Sequence, residues 1–215
     1  MAAYDNGNRL ALPESLAGKH FFYKTRGIPA THEDLALVAN AVKETFETDG
    51  RGLNPAQIEI MLRKDFKDDT RGVIAALDRL LGLMGATEPE ATRASILYCE
   101  WAAPHVDDSY VESAFVSLVL HTGPEPYIMQ TLHTHLSHGT QQIETDTRLL
   151  NVGDVFVFDP TTAHFTAPKY PHQDELLILL QMSVTDRTDE DRKELLHRFP
   201  TLFGDTDAYL AFEHH

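Results

Sequence analysis

Hydrophobic and polar positions divide the 215-residue chain into two differently patterned parts. Between Thr31 and Met84 apolar residues recur every three or four positions. Leu35, Val38, Ala39 and Val42 form one such run, and Val73, Ile74, Leu77, Leu80 and Leu81 another, the period of helices with one buried face. Thr31, with Glu33 and Asp34 behind it, reads as the N-cap and acidic first turn of a helix ending near Asp49-Gly50. Asn54-Pro55 reads as the start of a second helix carrying Ile58, Met61 and Leu62, and Thr70 as the start of a third. Three short helices are therefore expected from Thr31 to Met84.

From Ala94 the period shortens to two. SILYCEWA, ESAFVSLVLHT, YIMQTLHTHL, TQQIETDTRLL, DVFVFD, AHFTAP and ELLILLQMSV are β-branched, aromatic or alternating runs separated by Pro, Gly and Asp. Strands following one another without helices between them predict an antiparallel sandwich or barrel, because parallel strands need long crossovers. TDEDRKELLHRF then returns to helical spacing, with Thr188 as cap and Leu195, Leu196 and Phe199 on one side before Pro200. The expected fold class is mainly β with α. Its parts are an arm over 1–30, a helical part over 31–90, an antiparallel β-barrel over 94–186, and a C-terminal helix and tail over 187–215.

Composition changes this picture little. A hydrophobic fraction of 42% and a charged fraction of 24% suit a globular chain with a real core. The formal charge of −15 disfavours nucleic acid as a partner, since phosphate-binding surfaces are usually basic; RKDFK at 63–67 is diluted by neighbouring acids. There is no apolar run of membrane-spanning length and no basic start followed by an apolar block, so a cytoplasmic location is expected and no membrane. The single cysteine, Cys99, cannot form an internal disulfide and reads as a small core residue.

The candidate chemistry lies in LHTHLSHGTQQIETD, 132–146. On a strand His133 and His135 share a face with Tyr127, Met129 and Thr131. A two-residue turn at His138-Gly139 sets a hairpin register in which paired positions sum to 277. Glu144 then opposes His133 and Gln142 opposes His135, placing a carboxylate beside two imidazoles. A one-residue slip would undo this. GDVFVFDPTTAH, 153–164, supplies a further strand and loop, with His164 opening the next strand.

HTH at 133–135 followed by GDVFVFDPTTAH resembles the two motifs of the cupin family, small jelly-roll β-barrels, over roughly 98–184. Carried over, the resemblance implies that His133, His135 and His164 are metal ligands. The family's glutamate is absent at its usual place, where Gly139 and Thr140 stand, so Glu144 takes that role by register, with Gln142 and His138 as weaker alternatives. The metal is one divalent ion, Fe, Mn, Ni, Co or Zn. Tyr127, Met129, Thr131 and Gln142 are the expected substrate pocket. The implied function is a small-molecule enzyme, an oxygenase or a metal-assisted isomerase or lyase, often homodimeric; its rival is a ligand-sensing or structural module.

Two other resemblances carry less. His133, His135 and Asp146 have the spacing of the zinc motif of JAB1/MPN-type metallopeptidases, but Ile143 stands where that motif has serine. The order LNPAQIEIMLRKDF, DDTRGVIAALDRLLGLMG, ILYCEWA resembles a winged helix-turn-helix, although acids outnumber bases there. His121 is expected at a strand end, His105, His172 and His197 on the surface, and His214-His215 are given no role.

Overall fold

The computed structural model describes residues 26–27, 29–48, 58–61, 71–99, 102–110, 113–137, 140–170, 176–185 and 187–198. Along the chain come β1 (Arg26–Gly27), α1 (His32–Thr48), β2 (Ile58–Met61), α2 (Arg71–Leu83), α3 (Glu88–Arg93), β3 (Ser95–Cys99), β4 (Ala102–His105), β5 (Ser113–His121), β6 (Tyr127–Ser137), β7 (Thr140–Leu150), β8 (Asp154–Phe158), β9 (Ala163–Pro168), β10 (Leu177–Thr185) and α4 (Asp189–Arg198). The strands form two antiparallel sheets, one in the order β1-β8-β5-β10-β3-β2 and the other β4-β9-β6-β7. Strands distant in sequence alternate between the sheets in the jelly-roll manner. The mainly-β reading with flanking helices therefore holds.

The larger sheet is covered on both faces, which is why β5 and β10 are apolar almost end to end rather than alternating. On one face Val116, Leu118, Leu120, Ile178 and Leu180 pack with Leu35, Val38 and Val42 of α1 and with Leu77 and Leu80 of α2. On the other, Phe115, Val119, Leu177 and Leu179 meet Phe156 and Phe158 of β8 and Tyr127, Met129 and Leu150 of the smaller sheet. Each such side chain fully removed from water contributes about 1.5–3 kcal/mol.

Local signals anchor the helices. The Asp34 amide donates to Thr31 Oγ1 at 3.1 Å, as the N-cap expectation requires, and Arg79 of α2 grips the Asp34 carboxylate with Nε at 3.0 Å. At the C-terminal end the Asp191 amide donates to Thr188 Oγ1 at 3.1 Å, starting α4 where the cap-like threonine stands. Arg198, in the last turn of α4, reaches back to Glu90 of α3 and to the Gly85 carbonyl.

Two expectations are corrected. Residues 58–61 are not helical; they form β2, paired with β3 from Ile58↔Tyr98 to Met61↔Ser95. A run as short as I-E-I-M satisfies both periods, and the backbone ladder to β3 decides for the strand. Among the described residues the helix expected over Ile58 to Met61 is therefore a strand of the larger sheet, and the rest of that stretch lies outside the described residues. The second correction concerns His105, expected on the surface beside a proline: it ends β4, an edge strand of the smaller sheet, the position where proline is tolerated.

Candidate metal centre

Three strands of the smaller sheet bring the chemistry together. The β6–β7 hairpin has the register expected from its turn, with Thr131↔Asp146, His133↔Glu144, His135↔Gln142 and Ser137↔Thr140. On its other edge β6 pairs with β9, Thr131 opposite His164, and β9 pairs with β4, His164 opposite His105. His105, His164 and Thr131 thus lie in one row across β4, β9 and β6.

The loop before β9 is built by Asp159, which is fully buried. Its carboxylate accepts from the Thr161 amide at 2.8 Å and the Thr161 hydroxyl at 2.7 Å, and its carbonyl accepts from the Thr162 amide at 3.1 Å. This side-chain-to-backbone turn delivers His164 at a set angle. The same loop holds the neighbouring segment, because the Asp107 amide donates to the Pro160 carbonyl at 2.8 Å.

His105, Asp107 and His164 each offer a ligand atom, and these atoms lie within 4.8 Å of one another. Asp107 oxygens stand 3.8 Å from His105 Nε2 and 3.7 Å from His164 Nε2, with the imidazole centroids 4.4 Å apart. His164 is buried, whereas His105 and Asp107 are each about 30% exposed in their side chains, at 30% and 28%. Both imidazoles use Nδ1 in the same way: His105 toward the Ala103 carbonyl and His164 toward the Thr162 carbonyl, each at 2.7 Å. A carbonyl only accepts, so the proton sits on Nδ1, and a neutral ring then presents the Nε2 lone pair to Asp107. For His164 burial pushes the pKa down to about 4; the Thr162 carbonyl opposes this and His105 adds to it, so the ring is neutral at pH 7.

The arrangement therefore joins acceptors without a donor between them. The nitrogen–oxygen separations are too long for hydrogen bonds. They are shorter than two metal–ligand bonds of about 2.1 Å laid end to end, so a cation fits the chemistry of the donor set. Phe158 buttresses His164, its ring edge-on at 4.8 Å between centroids.

Asp107 and His164 face a cavity of about 550 Å³, counting the space at its open mouth, between the two sheets. Phe115, Phe156, Phe158, Leu97 and Leu179 make its apolar wall, and Met129, Thr166 and Gln181 also line it.

Of the residues singled out from sequence, His164 stands in the cluster and Met129 lines the cavity. Tyr127 is buried in the apolar core, and Thr131 is buried beside His164 without lining the cavity. His133, His135, Gln142, Glu144 and Asp146 are described by backbone register alone; their side chains, and all of His138, lie outside the described residues, as does His172. His105 is a correction, since it is a half-buried partner of His164 and not a surface residue. The signal that could have found it is H-x-D at 105–107, two potential ligands with the same spacing as in HTH, concealed by the loop reading of the proline before them. His121 does close β5, where its Nε2 lies 2.8 Å from Lys43 Nζ, and His197 is exposed.

An antiparallel double sheet with histidines and a carboxylate at the rim of an internal cavity is the class that fold and site define. No protein-family model matches the chain, and no curated protein sequence matches it. Among solved structures it is similar to AviO1 from Streptomyces viridochromogenes Tue57, at 14% identity over 85% of this chain and 96% of that one, with a TM-score of 0.48. It is also similar to the nickel complex of the non-heme monooxygenase ThoJ, at 15% identity over 92% and 98% with a TM-score of 0.45. A third is SnoK, a non-heme alpha ketoglutarate dependent carbocyclase from nogalamycin biosynthesis, at 12% identity over 84% and 89% with a TM-score of 0.47.

Proposed function

We propose that this chain is a metal-dependent small-molecule oxygenase whose ion is held by His105, Asp107 and His164. The observation that supports this reading is the convergence of two Nε2 lone pairs and a carboxylate at the wall of an aromatic cavity. Two histidines and one carboxylate form the ligand set of non-haem iron(II) oxygenases, which leave coordination positions open. Iron bound there would supply activation of dioxygen next to the cavity. The chain's own residues do the rest. The Ala103 and Thr162 carbonyls fix the imidazole tautomers, the Phe158 edge holds the His164 ring, and Phe115, Phe156, Leu97 and Leu179 bind an apolar body and exclude water.

A second reading rests on the β6–β7 register, in which His133 opposes Glu144 one row along the sheet from the Thr131–His164 pair. There His133, His135 and Glu144 would join His164 in place of His105 and Asp107. Anaerobic reconstitution with iron(II), followed by metal analysis, separates the two. The expected result is about one iron per chain for wild type, a loss of at least about tenfold in affinity for His105→Ala, Asp107→Ala and His164→Ala, and retention in His133→Ala and Glu144→Ala. The opposite ranking overturns the proposal in favour of the second reading. Iron binding without oxygen uptake in the presence of any of a panel of aromatic substrates would favour a sensor over an enzyme.

A further inference from the structure

Beside the inner cavity lies an outer compartment of about 690 Å³, again counting its open side, and Tyr110, Phe115 and Gln181 line both. Successive paired rows of the larger sheet, which supply Leu97, Leu179 and Gln181 to the inner cavity and Ser95 and Gln181 to the outer compartment, change character between the two. One row across β3, β10 and β5 reads Leu97, Leu179, Val119, all apolar. The next row reads Ser95, Gln181, Ser117, and all three are buried. Ser183 on β10 and Ser113 at the start of β5 carry the polar character outward to the opening, where both line the outer compartment.

Polar side chains inside a sandwich are retained where something satisfies them. Ser117 Oγ donates to Gln181 Oε1 at 3.2 Å, which turns the Gln181 amide nitrogen away from Ser117; among the described residues that nitrogen donates to nothing. Thr166 Oγ1, on the facing sheet and lining the inner compartment, is buried without a hydrogen-bond partner among the described residues. These are polar atoms at a cavity wall that lack a partner among those residues. At the outer rim stands Arg93, the last residue of α3 and the one cation lining either compartment among the described residues. Its Nε is tied to the Pro89 carbonyl at 3.2 Å, which steadies the side chain.

Between rim and metal cluster runs a series of rings. Tyr110 lies edge-on to Phe115 at 4.7 Å, Phe115 to Phe158 at 5.5 Å, and Phe158 to His164 at 4.8 Å. Such edges and faces receive flat apolar bodies. We propose that the outer compartment is a carboxylate subsite and that the substrate is an acid with an aromatic or similarly flat body. Its ring lies along the phenylalanines toward His164. Its carboxylate lies among Arg93, the Gln181 amide nitrogen and the serine hydroxyls, a guanidinium and neutral groups that can each donate to a planar anion. The inference rests on reading the cavity as the substrate site, but not on which residues hold the ion.

The test is calorimetric binding of 2-naphthoate, 2-naphthamide, 2-naphthyl phosphate and 2-oxoglutarate to the protein as isolated and after iron reconstitution, with metal content measured in parallel. The expected result is that the naphthoate binds at least about tenfold more tightly than the amide, and that Arg93→Met reduces this preference below about threefold while metal content is unchanged. Gln181→Leu is expected to weaken naphthoate about fivefold through loss of one charge-assisted donor. Absence of naphthoate binding, equal binding of acid and amide, or indifference to Arg93→Met overturns the proposal. So does tighter binding of the phosphate, or displacement of naphthoate by an equal concentration of 2-oxoglutarate. If no metal is bound and the acid preference persists, the subsite stands and the oxygenase reading fails; if metal is bound and the preference is missing, the reverse holds.

Discussion

The two sheets are built from similar lengths of strand but differ in what covers them. The larger has helices on one face and the smaller sheet on the other, so β5 and β10 are buried along nearly their whole length. In the smaller sheet β9 alternates, and Arg148 and Leu149 of β7 are exposed. His105, Asp107 and His164 all belong to the smaller sheet or its connection, and the apolar wall of the cavity that Asp107 and His164 line belongs to the larger. Stability and chemistry are thus assigned to different layers. A layer with one open side tolerates the strained, polar and half-exposed groups that a site needs, because its residues are not also closing the main core.

This division breaks most plainly in the larger sheet. Leu118→Ala, which removes a side chain with no exposed surface between β8 and β10, is expected to lower unfolding free energy by about 3 kcal/mol in urea titrations. An equal loss from a smaller-sheet substitution at the site would dissolve the contrast.

A smaller effect is expected at the clasp between α3 and α4. Burial alone would raise the Glu90 pKa, but Arg198 and the Thr87 amide and hydroxyl outweigh it and hold it below the ordinary 4.5. A depressed folded-state pKa contributes stability above the unfolded value and loses it as pH falls through the folded one. Glu90→Gln should therefore cost about 1 kcal/mol at pH 7 and progressively less as pH falls below the ordinary value of 4.5, so that the pH profile of the midpoint flattens in acid.

Smaller again is the expected stability change for Asp107→Asn in metal-free protein, within about 0.5 kcal/mol of wild type, because the amide keeps the size and shape of a side chain that is 28% exposed. The same variant should lose iron, and the combination of intact fold with lost metal sharpens the division. Least of all, Thr166→Val should leave thermal stability unchanged or slightly raised, since the hydroxyl it removes has no partner among the described residues. Its cost should appear only as weaker ligand binding in the inner compartment.

How much of this was legible in the sequence follows the same division. Every strand of the larger sheet from β3 onward has a β-branched or apolar run with turn residues at its ends, and such runs read directly. The β6–β7 register was legible because a two-residue connection leaves one alternation open. What could not be read was placement across long connections. Nothing in A-A-P-H says that it lies beside A-H-F-T-A-P, so His105 and Asp107 could not be joined to His164 from spacing alone. Residues 58–61 failed for a related reason, since four residues carry too little period to outvote a distant pairing partner. The polar row Ser95–Gln181–Ser117 is visible as isolated polar letters in three apolar runs, but only strand register aligns them.

α3 has six residues, with Glu90 and Arg93 three apart on it. Side chains at that spacing sit on the same side of a helix, so the final turn of the chain's last described helix and the mouth of the cavity are levers on one short axle. Trimming the protein just ahead of Arg198 would remove the weight from one end, and acid ligands would be the first to register the tilt at the other.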